Sequence, residues 1–190
     1  MKFASFFLPW AAALLSAAVM PAMAQQKLVP AQSDIAFVFK QMGVPVEGHF
    51  RKFDAQISFD AAKPANNKVA FTVDIASATL GAPEADAELP KATWFNTAKF
   101  PQATFASSGF KALGGGKYEV AGKLSIKGQS RDVVVPVTMT QTGAATVVVG
   151  VFPVQRLVFR IGENEWADPS LVADDVQVKF KLALTGVGKV

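Results

Sequence analysis

KYEVAGKLSIKGQSRDVVVPVTM (residues 117–139) is the stretch that decides the fold. Tyr118, Val120, Leu124 and Ile126 fall on one face of an extended chain, and Lys117, Glu119, Lys123, Ser125 and Lys127 on the other. Beyond Lys127-Gly128-Gln129-Ser130, the residues Val133, Val135, Val137 and Met139 resume the same two-residue period. Side chains alternate across a strand, so the stretch predicts a hairpin with one apolar and one polar face. The turn fits, because glycine accepts the positive φ that a tight hairpin demands.

Working outward, the period recurs. Ile35, Phe37 and Phe39 alternate with polar or small neighbours, as do Phe53, Ala55, Ile57 and Phe59. Val69, Phe71, Val73 and Ile75 form a third set, and Val176, Val178, Phe180, Leu182 and Leu184 close the chain. Further strands are expected at 103–110, 145–151 and 156–161. Turn chemistry separates them at Lys63-Pro64-Ala65-Asn66-Asn67, Gly114-Gly115-Gly116 and Thr142-Gly143-Ala144. Residues 80–101 break the meander with three prolines and an acidic run from Glu84 to Leu89, and Pro83 suits a helix start. The expected fold is therefore all-β: an antiparallel barrel of about eight strands with one short helical insertion interrupted at Pro90. A closed barrel hides the shared apolar face and removes sticky edges. A sandwich is its rival, which periodicity alone does not separate.

Residues 1–24 read as a cleaved signal peptide. Lys2 supplies the positive start, the run from Phe6 to Val19 is apolar, and Ala22-Met23-Ala24 gives the small-x-small cleavage pattern. Cleavage after Ala24 leaves one exported domain over residues 25–190. The chain has no cysteine, so its stability rests on a core and not on disulfides. The formal net charge of +4 includes Lys2, which leaves with the signal, and the remaining charges are scattered. That pattern excludes a nucleic-acid binder, which needs a basic stripe, and allows at most a weak, transient attraction to anionic membranes.

Residues for catalysis are sparse. His49 is the only histidine, so multi-histidine metal sites are ruled out, and no Gly-x-Ser-x-Gly elbow or phosphate-binding glycine loop occurs. Glu163, Glu165, Asp168, Asp174 and Asp175 lack the spacing of a calcium loop and read as a solvated surface. What remains is aromatic mass: of 16 phenylalanines only three lie in the signal, and most others fall on inward positions. Read from the residues alone, that mass suits a packed core and a ligand cavity equally.

Several stretches resemble the YceI-like family of periplasmic polyisoprenoid-binding proteins. Ser33-Asp34-Ile35-Ala36-Phe37 is similar to its opening strand, and Val46-Glu47-Gly48-His49-Phe50-Arg51-Lys52-Phe53 to its second. Trp94-Phe95-Asn96-Thr97-Ala98-Lys99-Phe100-Pro101, then Ala103-Thr104-Phe105-Ala106-Ser107, resembles the family's central segment. Gly122-Lys123-Leu124-Ser125-Ile126-Lys127-Gly128 resembles its hairpin, and Val172-Ala173-Asp174-Asp175-Val176-Gln177-Val178 the start of its closing strand. The chain departs from the family at Gln41, where many members carry histidine, at Arg160, where glycine is usual, and at Trp94, which replaces phenylalanine.

The resemblance implies a lipocalin-like barrel that binds, transports or stores a polyisoprenoid lipid without catalysis. The ligand would be the polyprenyl chain of a quinone or prenyl phosphate, with no catalytic cofactor and no metal. It implies a periplasmic location and makes a homodimer plausible. The expected lining is Ile35, Phe37, Phe39, Phe53, Ile57, Phe59, Phe71, Val73, Ile75, Leu124, Ile126, Val135, Val137, Leu157, Phe159, Val178 and Phe180. Trp94, Phe95 and Phe105 are expected near a tunnel mouth, and His49, Arg51, Arg156 and Arg160 are candidates to meet a head group. Two rival functions are an enzyme on a lipid-like substrate using Glu163 or Asp168, and a filled barrel serving only as an interaction domain.

Overall fold

The structure is a computed structural model that describes residues 26–189; residues 1–25, which include the expected signal peptide, and Val190 lie outside the described residues. Eleven strands follow in chain order: β1 (Lys27–Leu28), β2 (Asp34–Gln41), β3 (Val44–Phe50), β4 (Phe53–Ser58), β5 (Lys68–Asp74) and β6 (Ala78–Thr79), then β7 (Gln102–Gly114), β8 (Lys117–Ile126), β9 (Gln129–Thr142), β10 (Ala145–Gln155) and β11 (Asp175–Thr185). All pair antiparallel in one sheet of order β4-β5-β7-β8-β9-β10-β11-β2-β3-β6, with β1 added to β11. One sheet curled on itself, rather than two stacked, gives a lipocalin-like half-barrel and not a sandwich. The insertion contains α1 (Pro83–Asp86), with Pro83 at its first turn, followed by turns as far as Pro101.

Apolar alternation places the strands as expected across the β8–β9 hairpin, where Tyr118 faces Val137 and Val120 faces Val135. Lys127 and Gly128 take φ of 48° and 75° at its tip. In β7 a register shift between Ser107 and Gly109 changes the parity, so that Phe105 and Phe110, five residues apart, both point inward.

Two expectations need correction. Residues 156–161 are not a strand: Arg156–Phe159 is a 3-10 turn that ends on Arg160 in the left-handed region, φ 59°. That conformation is the physical reason glycine suits this position. Ile75 leaves its strand early and opens a second 3-10 turn, Ile75–Ser77, in which the Asp74 carboxylate accepts from the Ala76 N–H at 3.0 Å.

Two groups of buried side chains close the interior. One gathers Ile75, Leu89, Phe95, Phe159 and Ile161 beneath the insertion. The other gathers Phe59, Tyr118, Met139, Val148, Leu184 and Val187. Among the described residues, no helix is long and apolar enough to cross a membrane.

Candidate binding cavity

A cavity of about 220 Å³ lies inside the sheet, with walls from both buried groups. Its lining is apolar except for Lys68 and Thr104. Both are exposed and adjacent in sequence to inward residues, Val69 and Phe105, so their side chains point away from the interior. Among the described residues no carboxylate, imidazole or thiol reaches the wall.

Of the residues expected on the wall, Ile35, Ile57, Phe59, Phe71, Val73, Ile75 and Phe95 are there. So are Phe105, Leu124, Ile126, Val135, Val137, Val178 and Phe180. Six are not. Phe37 stacks with Phe39 at 6.4 Å and tilts at 5.0 Å against Phe50, which stands on the wall in its place. Phe53, on the edge strand, stacks behind Phe71 at 5.9 Å. Trp94 packs against Trp166, ring centres 5.5 Å apart. Phe159 is buried in the group beneath the insertion, and Leu157 sits in the same 3-10 turn. Residues 80–101 thus form a plug over this end, with Leu89 and Phe95 buried, where a tunnel mouth was expected.

Sequence reasoning missed Phe50, Phe110, Val148, Phe152 and Val154 as lining residues. Val148 and Val154 share the inward parity of β10, a signal that is readable once that strand's facing is known. Phe110 was hidden by the β7 bulge. Val120, Met139, Leu182 and Leu184 were placed on inward faces and do line the wall.

The candidate head-group residues are engaged elsewhere. His49 is half-exposed on the outer face, with Nδ1 3.0 Å from Asp34 and Nε2 3.5 Å from Glu47, while its neighbour Phe50 lines the cavity. Arg51 reaches the Thr79 hydroxyl at 3.5 Å. Arg156 is 3 % exposed, and all five of its N–H donors are used: Nε donates to Ala173 O, Nη1 to Ile161 O and Gly162 O, and Nη2 to Trp166 O and Val172 O. Burial lowers its pKa against the opposing pull of Asp174. Arg160 pairs with Glu163 at 2.9 Å.

Three of the acidic groups are also committed. The Lys127 ammonium, buried, donates to Ala92 O, Arg160 O and the Glu163 carboxylate at 3.0 Å. That bond holds the Glu163 carboxyl below the usual glutamate range. Asp168 accepts from the Ser170 N–H and is likewise lowered. Asp174 accepts from the Leu157 N–H. Among the described residues no three His, Cys, Asp or Glu side chains converge.

A second, shallower depression of about 570 Å³ lies on the outer face and is lined by Lys117, Lys179, Lys181, Asp34, Glu47, Val149 and Val151 among others.

Comparison with known proteins adds to this geometry. The model of the YceI-like domain matches residues 26–184. A UPF0312 protein of Azotobacter vinelandii is 38% identical over 118 residues, 60% of this chain and 62% of the relative. UPF0312 protein plu2095 of Photorhabdus laumondii is 38% identical over 101 residues, 53% of this chain and 52% of the relative. The chain thus spans about half to three-fifths of the length of these curated relatives. Among solved structures, BcnA of Burkholderia cenocepacia superposes with a TM-score of 0.80 at 46% identity, over 82% of this chain and 98% of that one. A polyisoprenoid binding domain of Saccharophagus degradans superposes with a TM-score of 0.68 at 15% identity, over 85% of this chain and 98% of that one, a likeness of fold alone.

Proposed function

Because the chain belongs to the YceI-like domain family, we propose that it is a non-catalytic carrier that holds the apolar chain of a polyisoprenoid or similar long amphiphile in the periplasm. The observation that supports this most is the cavity: about 220 Å³ of space inside the half-barrel, with no polar side chain turned toward it. A packed core leaves few voids larger than a water molecule, and an apolar void stays dry and takes up apolar ligands. A polyprenyl tail gains about 0.8 kcal/mol per CH₂-sized group on leaving water, which offsets the freedom lost on binding. The fold is shared with a protein described as a polyisoprenoid binding domain.

The volume also bounds the cargo. It is smaller than the roughly 300–1,000 Å³ of drug-sized sites, so the cavity holds one slender segment of a chain, with the rest emerging. An apolar wall without acid or base suits holding and release, not turnover. Delivery requires contact with a membrane. Val149 and Val151 stand exposed on the outer face beside their registered partners Lys181 and Lys179, which suits brief contact with an anionic surface.

The test is to express the full chain in a Gram-negative host, purify the native exported protein, and extract it with organic solvent. Mass spectrometry should find a near-equimolar polyprenyl or quinone species, depleted in a folded Phe71→Asn variant. No lipid in the extract, together with no rise in melting temperature on adding polyprenyl alcohols, sinks the carrier reading in favour of a filled interaction domain.

A further inference from the structure

Three strand glycines on the inner face each lie beneath a phenylalanine ring. A Cβ on Gly150 would stand 2.3 Å from Cζ of Phe180, one on Gly122 2.4 Å from Cζ of Phe105, and one on Gly48 2.3 Å from Cζ of Phe37. Real Cβ atoms do not approach a ring carbon so closely, so each ring occupies the space a side chain would have filled. Gly150 and Phe180 are directly registered partners on β10 and β11, as are Gly48 and Phe37 on β3 and β2. Gly122 is registered with Ser107 and lies diagonal to Phe105.

Backbone conformation does not call for glycine at these places. None of the three has positive φ, unlike Gly43, Gly81, Gly128 or Gly143 in the turns. Glycine inside a strand weakens it and commonly marks a close approach. Here the nearest approaching group is a ring, joined at two of the three by a main-chain carbonyl: Ala106 O would stand 2.6 Å from a Cβ on Gly122 and Pro136 O 2.8 Å from one on Gly150. Flattening the ring against the sheet has a consequence for the interior. Phe105 and Phe180 are both on the cavity wall; Phe37 is not. A ring denied the space over its glycine has to tilt inward, into a cavity of only about 220 Å³.

We propose that Gly122 and Gly150 set the bore of the cavity, and with it the specificity for a single slender linear chain over broader, fused-ring lipids. The inference rests on the carrier reading and deepens it. Gly48 supplies a graded comparison, because it has the same contact with a ring that lies one layer behind the wall, against Phe50.

The test is displacement of N-phenyl-1-naphthylamine by geranylgeraniol and by cholesterol, on the mature folded protein. Gly150→Ala and Gly122→Ala should each weaken geranylgeraniol by about tenfold or more, the low end of what one misplaced methylene costs in an apolar pocket. Gly48→Ala should lower the melting temperature and weaken the affinity of the folded fraction less than either, because its ring reaches the wall only through Phe50. The double variant Gly150→Ala/Phe180→Leu should recover affinity in part, since the ring clash is relieved while the Cβ still meets Pro136 O at 2.8 Å. Should the glycine variants fold poorly, Phe180→Leu alone creates no clash, and it should narrow the preference for geranylgeraniol over cholesterol expected of the wild type. Equal loss in the Gly48 and Gly150 variants, no recovery in the double variant, or an unchanged preference in Phe180→Leu each overturns the inference. A wild type that binds neither probe nor alcohol overturns the carrier reading itself, which is a different result.

Discussion

The carboxamide of Gln26 takes both main-chain hydrogen bonds of Phe59: Nε2 donates to the Phe59 carbonyl at 2.6 Å, and Oε1 accepts from the Phe59 N–H at 2.8 Å. One side chain thus mimics a strand. It does so at the seam of the half-barrel, because β4 ends the sheet and pairs only with β5. Residue 26 directly precedes β1, which pairs with β11, so the bridge ties the free edge of β4 to the far side of the sheet. At the other end of β4 the tie is Ser77, whose carbonyl accepts from Arg51 N–H and whose hydroxyl accepts from Lys52 N–H.

Gln26→Ala leaves a part-buried N–H and C=O of Phe59 without partners. Such a loss costs about 1–3 kcal/mol, and the urea midpoint should fall accordingly with an unchanged slope. Stopped-flow release of a bound fluorescent probe should also quicken, since the seam beside Phe59 and Ile57, both on the cavity wall, is then unlatched. An unaltered release rate would show that the chain leaves by another route.

Arg156 is a frame residue, and its five donors make a sharp prediction. Lysine keeps the charge but offers three donors at most, so Arg156→Lys leaves at least two carbonyls unpaired and should cost about 2 kcal/mol or more. Arg156→Met, which orphans all five, should cost about 3–5 kcal/mol, the scale seen when one partner of a buried charged network is removed. The amount of lipid recovered per folded molecule should stay the same in Arg156→Lys. A selective loss of lipid without loss of stability would restore this arginine to the head-group role.

Gly162 has φ of 73°, and a Cβ there would stand 2.4 Å from Nη1 of Arg156. Gly162→Ala should therefore cost on the order of 1–3 kcal/mol. Part of that cost is steric against the guanidinium, so a double-mutant cycle with Arg156→Met should show a smaller penalty in the methionine background. Strict additivity would put the whole effect on the backbone.

The strands were legible because their core is one-sided: a period of two over Tyr118 to Ile126 or Val176 to Leu184 has no other physical reading. What failed was any stretch in which something other than the pleat sets the facing. Leu157 and Phe159 alternate like strand residues, but Arg156 draws in carbonyls from residues 161, 162, 166, 172 and 173, and the chain must coil around it. The β7 bulge hid Phe110 in the same way, by one residue of parity. Phe37 and Phe53 have inward parity yet miss the cavity, because their neighbours Gly48 and Phe71 decide where their rings lie. A void is a property of packing, and glycines at 122 and 150 carry no mark in the sequence until their ring partners are known.

The carboxylate of Asp86 pins the insertion to the sheet, with Oδ2 accepting from the Thr79 hydroxyl at 2.6 Å and Oδ1 from the Leu80 N–H. The Thr79 bond first and then the Leu80 bond hold its carboxyl below the ordinary value of 3.8, with burial opposing them and the Arg51 charge adding the least. The folded state therefore takes up this proton less readily than the unfolded chain. The stabilisation is fully present above the ordinary value and is lost as pH falls through the lowered one. Asp86→Asn removes that ionisation. Its urea midpoint should lie below wild type at neutral pH, and the gap should close as the pH is taken below about 3.8. The loss should appear first in this segment, so Trp94 emission, read in a Trp166→Phe background, should change before the far-ultraviolet signal of the sheet. A gap that stays constant through the acid range would mean that Asp86 acts through geometry alone and that its ionisation contributes nothing.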